Sequence, residues 1–319
     1  MCHSIKNALN LNCTKEAVER DHGQINHSRS QLSSMTFQLS LVSGGDSTRR
    51  WGGLAEKKFR MSITRKIFLD SETSRISPFW RGHLFLFDQP QAPTLSSQQG
   101  TRLLLIFLFA EVIVRPLFAA GARWLTIADR NWWPLMQLSL LTLLVCGLAI
   151  NFAGVRLSQL GLYSWLRWSK TEKFYLLQIQ PVAIIVFSLF TSASLKLLWA
   201  RPNLWAIGLL IFVQQMIWGV YQELLYRGLL QTELVRRWGT LTGILVSNLV
   251  FTFGPLHAYH FLAAPRNPSH LWIFAAIFGI GLYFAILFGR SGNLWIIGVM
   301  HGLGDWFIDG LAQVSRIAH

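Results

Sequence analysis

Residues 204–230 read LWAIGLLIFVQQMIWGVYQELLYRGLL, an apolar run long enough to cross a bilayer as a helix. The run carries only two charged residues, Glu223 and Arg227. A charge near the centre of the hydrocarbon costs about 2.5–3.5 kcal/mol on insertion scales, so ionisable groups in membrane helices are rare and usually line a cavity. Because these two residues are four positions apart, they share one helix face. The run therefore predicts a membrane helix that contributes to a polar site.

Six other apolar segments of similar length predict an all-α, polytopic membrane helix bundle with about seven transmembrane helices. These segments lie near residues 102–121, 135–154, 174–198, 241–263, 271–289 and 293–313. The composition agrees, because 52% of the 319 residues are hydrophobic and only 14% are charged, whereas soluble domains have about 25% charged residues. The lipid bilayer is thus the expected environment of the protein.

The chain divides by composition into three regions. Residues 1–100 form a polar, basic N-terminal tail without hydrophobic periodicity, which predicts that it is mostly disordered. An alternative interpretation is that part of this tail is a gene-model extension, with translation starting at Met35 or Met61. Residues 101–200 contain the N-terminal transmembrane helices, and residues 201–315 contain the helices with the ionisable groups.

The formal net charge of +14 raises the question of a nucleic-acid partner. The sequence has no basic patch with interleaved stacking aromatics, so we expect no nucleic acid to bind. Attraction to anionic lipid and the excess of cations in cytoplasmic loops explain the charge more simply. The distribution of basic loops predicts a cytoplasmic N-terminus. We expect a multi-pass protein, located in the bacterial inner (plasma) membrane.

Two later apolar segments also carry ionisable residues at helical spacing. The first contains FTFGPLH, with Phe253 four residues before His257, and the second contains HGLGD, with His301 four residues before Asp305. Together with the glutamate of the first segment, these are the residue types of a hydrolytic site that activates water. Taken singly, each has a structural interpretation, such as an ion pair or a histidine that joins two helices.

Helical geometry predicts that these residues lie at one depth in the membrane. If the chain turns at Gly239, Glu223 lies 16 residues before the turn and His257 lies 18 residues after it. At about 1.5 Å per residue both are about 24–27 Å from the turn, so an antiparallel hairpin brings them level. By the same rise His301 lies about 12 Å into its helix from Asn293. A shared polar site that opens towards the cytoplasm is therefore predicted.

At these residues the chain resembles the CPBP family of intramembrane peptidases. This family includes type II CAAX prenyl endopeptidases and bacteriocin self-immunity proteins, and its pattern is EExxxR, FxxxH and HxxxN or HxxxD on successive transmembrane helices. The three motifs are matched by Gln222-Glu223 and Arg227, by Phe253 and His257, and by His301 and Asp305. The resemblance covers roughly residues 200–310 and makes residues 201–315 the expected catalytic core.

The resemblance implies an intramembrane endopeptidase that cuts a membrane-anchored polypeptide, by CAAX-type or C-terminal sorting-signal processing. It implies the catalytic residues Glu223, His257, His301, Asp305 and Arg227, with Gln222 and Phe253 as substrate-binding or supporting residues. One departure affects this inference, because Gln222 stands where the family has its first glutamate, and an amide cannot accept the proton of water. Either Glu223 activates the water, or the protein is a non-catalytic relative that acts in bacteriocin self-immunity or as a scaffold. A transporter is a weaker alternative, since no inverted repeat is evident.

The cofactor requirement has two interpretations. Glu223, His257 and His301 could supply three ligands to an open zinc site, as in other metallopeptidases. No HExxH spacing is present, and a metal-free mechanism with a Glu/His-activated water fits the same residues equally well.

Overall fold

The computed structural model describes residues 76–87, 95–124, 132–257 and 269–318, and these residues form helices and turns without a β-strand. The α-helices are α1 (Pro78–Arg81), α2 (Ser97–Leu108), α3 (Arg115–Trp124), α4 (Trp132–Asn151), α5 (Lys170–Phe190), α6 (Ser192–Ala200), α7 (Trp205–Glu223), α8 (Thr232–Trp238), α9 (Thr240–Phe253), α10 (Ser269–Ser291), α11 (Leu294–Asp305) and α12 (Leu311–Ala318). Three π-helical segments continue α2, α7 and α11, namely π1 (Phe109–Val114), π2 (Leu224–Gln231) and π3 (Trp306–Gly310). The predicted all-α class is confirmed.

Each of the seven predicted membrane segments is helical over most of its described length. Among the described residues, four helices are long and apolar enough to cross a membrane, namely Trp132–Asn151, Lys170–Phe190, Pro202–Trp238 and Leu271–Ser291, and Thr240–Phe253 is a shorter apolar helix. The segment predicted at 241–263 is wrong at residues 254–257, because the helix ends at Phe253 and a turn follows, and residues 258–263 lie outside the described residues. Gly254 and Pro255 follow this end, and a proline disfavours helical conformation in the residue before it and lacks an N–H.

The end of the predicted N-terminal tail is folded. Helix α1 packs against α5, where the Gln178 side-chain amide donates a hydrogen bond to the Phe79 carbonyl at 3.1 Å. Ser96 and Gln99 form a capping box that starts α2 before residue 101. The disorder predicted for residues 1–75 lies outside the described residues.

The loop between α4 and α5 is fixed to the start of α11 by a buried glutamate. Glu172 accepts hydrogen bonds from the Tyr163 hydroxyl at 2.6 Å, from the Asn293 amide at 2.8 Å and from the Ser169 backbone N–H at 2.7 Å. Burial and the hydrogen bond to Glu172 raise the pKa of the Tyr163 phenol, so this group stays a proton donor. These contacts position the helix that carries His301 and Asp305.

Helices α7 and α11 form the closest packing near the site. A Cβ atom placed on Gly219 would lie 2.3 Å from the Gly302 backbone N and 2.7 Å from the Gly298 carbonyl O. Small residues at helix crossings let membrane helices approach until their backbones touch. The three glycines therefore set the distance between the helix of Glu223 and the helix of His301.

We expect Gly219→Ala to destabilise the protein by about 1–3 kcal/mol, because the added methyl group forces α7 and α11 apart. Thermal unfolding of the purified protein in detergent measures this loss. Gly147→Ala in α4 is the matched control, since a Cβ at that position would meet nothing within 4 Å. Equal unfolding temperatures for the two variants would contradict the tight crossing.

Candidate active site

Glu223 lies at the junction of α7 and π2 and is fully buried. Its Oε1 is 2.6 Å from Nδ1 of His301, and its Oε2 is 3.4 Å from Nε of Arg227. A carboxylate oxygen only accepts hydrogen bonds, so the imidazole donates from Nδ1, and a neutral imidazole in this orientation has its lone pair on Nε2. Glu223 thus fixes both the orientation and the tautomer of His301.

Arg227 is also fully buried, and the wider turn of π2 carries it alongside Glu223. Its Nη2 donates to the Gly281 carbonyl at 2.8 Å and lies 3.5 Å from Oδ1 of Asn248. Its guanidinium carbon is 4.7 Å from the centroid of the Phe251 ring. The cation is therefore held by helices α9 and α10 at the same time, and its charge balances that of Glu223. Such π-helical turns are frequent at functional sites.

Asp305 forms the more exposed side of the site. Its Oδ2 is 3.7 Å from Nε2 of His301 and accepts a hydrogen bond from the Gln222 side-chain amide at 3.3 Å. The side chain of His301 is 13% exposed and that of Asp305 is 21% exposed, whereas Glu223 is 0% exposed. The imidazole therefore lies between a closed carboxylate and an accessible one.

His257 lies in a turn after the end of α9. Its Nδ1 is 2.7 Å from the Phe251 carbonyl O, and its ring centroid is 4.8 Å from the centroid of the Phe251 ring. The same phenyl ring is 6.0 Å from the His301 ring. The residues of all three motifs thus meet around Phe251.

Phe253, the predicted supporting residue, is placed elsewhere. Its side chain is 51% exposed and its ring stacks on Phe274 with centroids 5.4 Å apart. Sequence reasoning missed Phe251 and Asn248, which contact Arg227 from α9. A signal was present, because Asn248 is a polar residue in an apolar helix one turn before Phe251.

The described residues contain no group of three or more His, Cys, Asp or Glu side chains arranged to hold a metal ion. The chemistry of Glu223 also fits a metal poorly, because one oxygen faces the Arg227 cation and the other accepts from His301. A zinc ion bound to this carboxylate would have to displace the His301 N–H from one oxygen or approach the Arg227 cation at the other. We therefore derive no step through a metal.

Comparison with known proteins agrees with the motif pattern. The family model described as type II CAAX prenyl endopeptidase, Rce1-like, matches residues 201–307, the region that contains all three motifs. No curated protein and no solved structure matches the chain. The resemblance predicted from the three motifs is therefore confirmed over residues 201–307, where the chain is similar to the Rce1-like type II CAAX prenyl endopeptidases.

Proposed function

We propose that this protein is an intramembrane endopeptidase that hydrolyses a peptide bond of a membrane-tethered polypeptide, of the CAAX or C-terminal sorting-signal type. The observation that carries the proposal is the 2.6 Å contact between buried Glu223 and His301, beside the partly exposed Asp305. A structural ion pair alone needs no accessible second carboxylate. The match to a CAAX endopeptidase family supports the reaction class and a membrane-anchored substrate.

In this proposal the attacking water binds on the accessible side of His301. Because Glu223 accepts from Nδ1, the lone pair on Nε2 is free to accept a hydrogen bond from that water and to align its oxygen towards the scissile carbonyl. Arg227 and Phe251 keep Glu223 and the imidazole in place. His257, whose ring also packs against Phe251, is a candidate to contact the substrate carbonyl.

We further propose that the site opens towards the cytoplasm of a bacterium, with the protein in the inner membrane and its N-terminus inside. Arg236 and Arg237 support this orientation, because they lie at the turn between α8 and α9 and cytoplasmic loops are enriched in cations. Both guanidinium groups pair with the buried Glu233. A substrate anchored by a lipid or a single helix would then present its cleavage site near that face.

Reconstitution of the full chain into proteoliposomes tests the proposal. We expect it to cleave an internally quenched, farnesylated peptide that ends in a CAAX sequence, with the product bond identified by mass spectrometry. We also expect 1,10-phenanthroline to change the rate by less than about twofold, because no step depends on a metal. A rate equal to that of empty vesicles would contradict the peptidase and favour a scaffold or immunity role. Loss of activity with the chelator, restored by zinc, would overturn the metal-free mechanism.

A further inference from the structure

We infer that Asp305, positioned by Gln222, is the carboxylate that takes the proton from the attacking water. This inference rests on the proposed function and deepens it by assigning the general base. The EExxxR pattern that this chain resembles has a carboxylate at position 222, whereas this chain has an amide there. The Gln222 amide contacts a carboxylate, but that carboxylate belongs to Asp305 on the neighbouring helix α11.

Glu223 is badly placed to be the base. Its side chain is fully buried, and its two oxygens face the His301 ring and the Arg227 guanidinium at 2.6 and 3.4 Å. Because the Glu223 side chain is 0% exposed, whereas Asp305 is 21% exposed, a water molecule in the accessible part of the site reaches Asp305 and not Glu223. Glu223 is therefore a positioning residue that acts through His301.

Asp305 satisfies the requirements of a base. One fifth of its side chain is exposed, and Oδ2 is close to both Nε2 of His301 and the Gln222 amide. An ionised carboxylate has about four acceptor sites, so these two neighbours leave others for water. A water that donates one hydrogen to Nε2 and the other to Asp305 has its oxygen lone pairs free for attack.

The amide of Gln222 matches this arrangement. Its N–H donates to Oδ2 of Asp305 at 3.3 Å and so favours the ionised form and one orientation of that carboxylate. Two carboxylates at this separation would repel each other and share a proton. The Gln222 amide and the Asp305 carboxylate are thus complementary. A protein with a carboxylate at position 222 and an amide at position 305 would still have one hydrogen-bond donor and one carboxylate in the site.

The proposed step balances as follows for a peptide substrate. The water oxygen forms a bond to the carbonyl carbon while one water O–H bond breaks and its proton moves to Asp305. The Asp305 carboxylic acid then gives this proton to the amide nitrogen as the C–N bond breaks. The products are a free amine and a new carboxylic acid, which loses its proton to solvent, and Asp305 is ionised again.

A reciprocal exchange tests the assignment on the full chain in proteoliposomes with the quenched farnesylated peptide. We expect Asp305→Asn to lower kcat by about 10²–10⁴-fold, the usual contribution of a general base. Gln222→Glu should lower kcat by about tenfold and shift the acidic limb of the pH–rate profile upward, since two carboxylates then share one proton.

The double variant Gln222→Glu/Asp305→Asn restores one carboxylate and one amide, so its kcat should exceed that of Asp305→Asn at least tenfold. Asp309→Asn, one turn along the chain, is the control for lost charge and should stay within about twofold of wild type.

Each outcome separates the inference from the proposed function. Recovery in the double variant supports the exchanged pair, because a merely structural contact would not restore kcat or the pH profile. The assignment of the base is overturned if Asp305→Asn keeps the wild-type kcat. It is also overturned if the kcat of the double variant does not exceed that of Asp305→Asn. Absence of cleavage by a folded wild type overturns the proposed function and the assignment together.

Discussion

Glu223→Gln should lower kcat by about 10²–10⁴-fold while the protein remains folded. The amide can still accept a hydrogen bond from His301, but it is a weaker acceptor than the carboxylate and can also turn its NH2 group towards Nδ1, so the imidazole is no longer held in the orientation that aligns the attacking water. The loss should appear in kcat more than in KM, because Glu223 is fully buried and has no access to substrate. Single-turnover cleavage of the quenched peptide measures the chemical step.

Glu233→Gln is the matched control for this result. Glu233 is likewise a fully buried carboxylate on the same continuous helix, where it pairs with Arg236 and Arg237. Ten residues separate it from Glu223, which is about 15 Å along a helix. We expect the control to lose stability but to keep kcat per folded molecule within about threefold. Similar kcat losses in both variants would point to a general effect of removing a buried, paired carboxylate and would contradict the role given to Glu223.

Much of the site could be predicted because helical geometry is regular. The i, i+4 spacings of Glu223 with Arg227 and of His301 with Asp305 both appear as side-chain pairs. The turn predicted at Gly239 is present, with a positive φ of 82° that glycine adopts without strain. Counting residues from that turn predicted that the first two motifs meet, although the count assumed regular helix throughout, whereas a π-helical segment follows Glu223 and the helix ends at Phe253, before His257.

The remaining features depend on departures from that regularity. The proline at position 255 ends α9 early, so the phenylalanine beside the histidines is Phe251 and not Phe253. The π-helical segment after Glu223 departs from the α-helical hydrogen-bond pattern, and nothing in the sequence indicated this departure. The contact between Gln222 and Asp305 joins residues 83 positions apart, and it depends on how closely α7 and α11 pack. Motif spacing along one helix carries no information about the distance between two helices.

Arg227→Met should be the most destabilising single substitution in the site, by about 3–5 kcal/mol, because it leaves Glu223 buried without a counter-charge. The change also removes the hydrogen bond to the Gly281 carbonyl and the contact with the Phe251 ring. Arg227→Lys should recover only part of this loss, since an ammonium group keeps the charge but cannot reproduce the planar contacts. Thermal and denaturant unfolding in detergent measure the three proteins on one scale.

The double variant Glu223→Gln/Arg227→Met distinguishes an unpaired charge from lost packing. It removes both charges, so we expect it to regain at least half of the stability lost in Arg227→Met while remaining inactive. Arg236→Met is the exposed control, at 29% side-chain exposure and with Arg237 still paired to the same glutamate, and should cost about 0–1 kcal/mol. If the double variant is no more stable than Arg227→Met, the stabilising contribution of Arg227 lies in its contacts with α9 and α10. The ion pair with Glu223 would then serve the orientation of His301 and contribute little to folding.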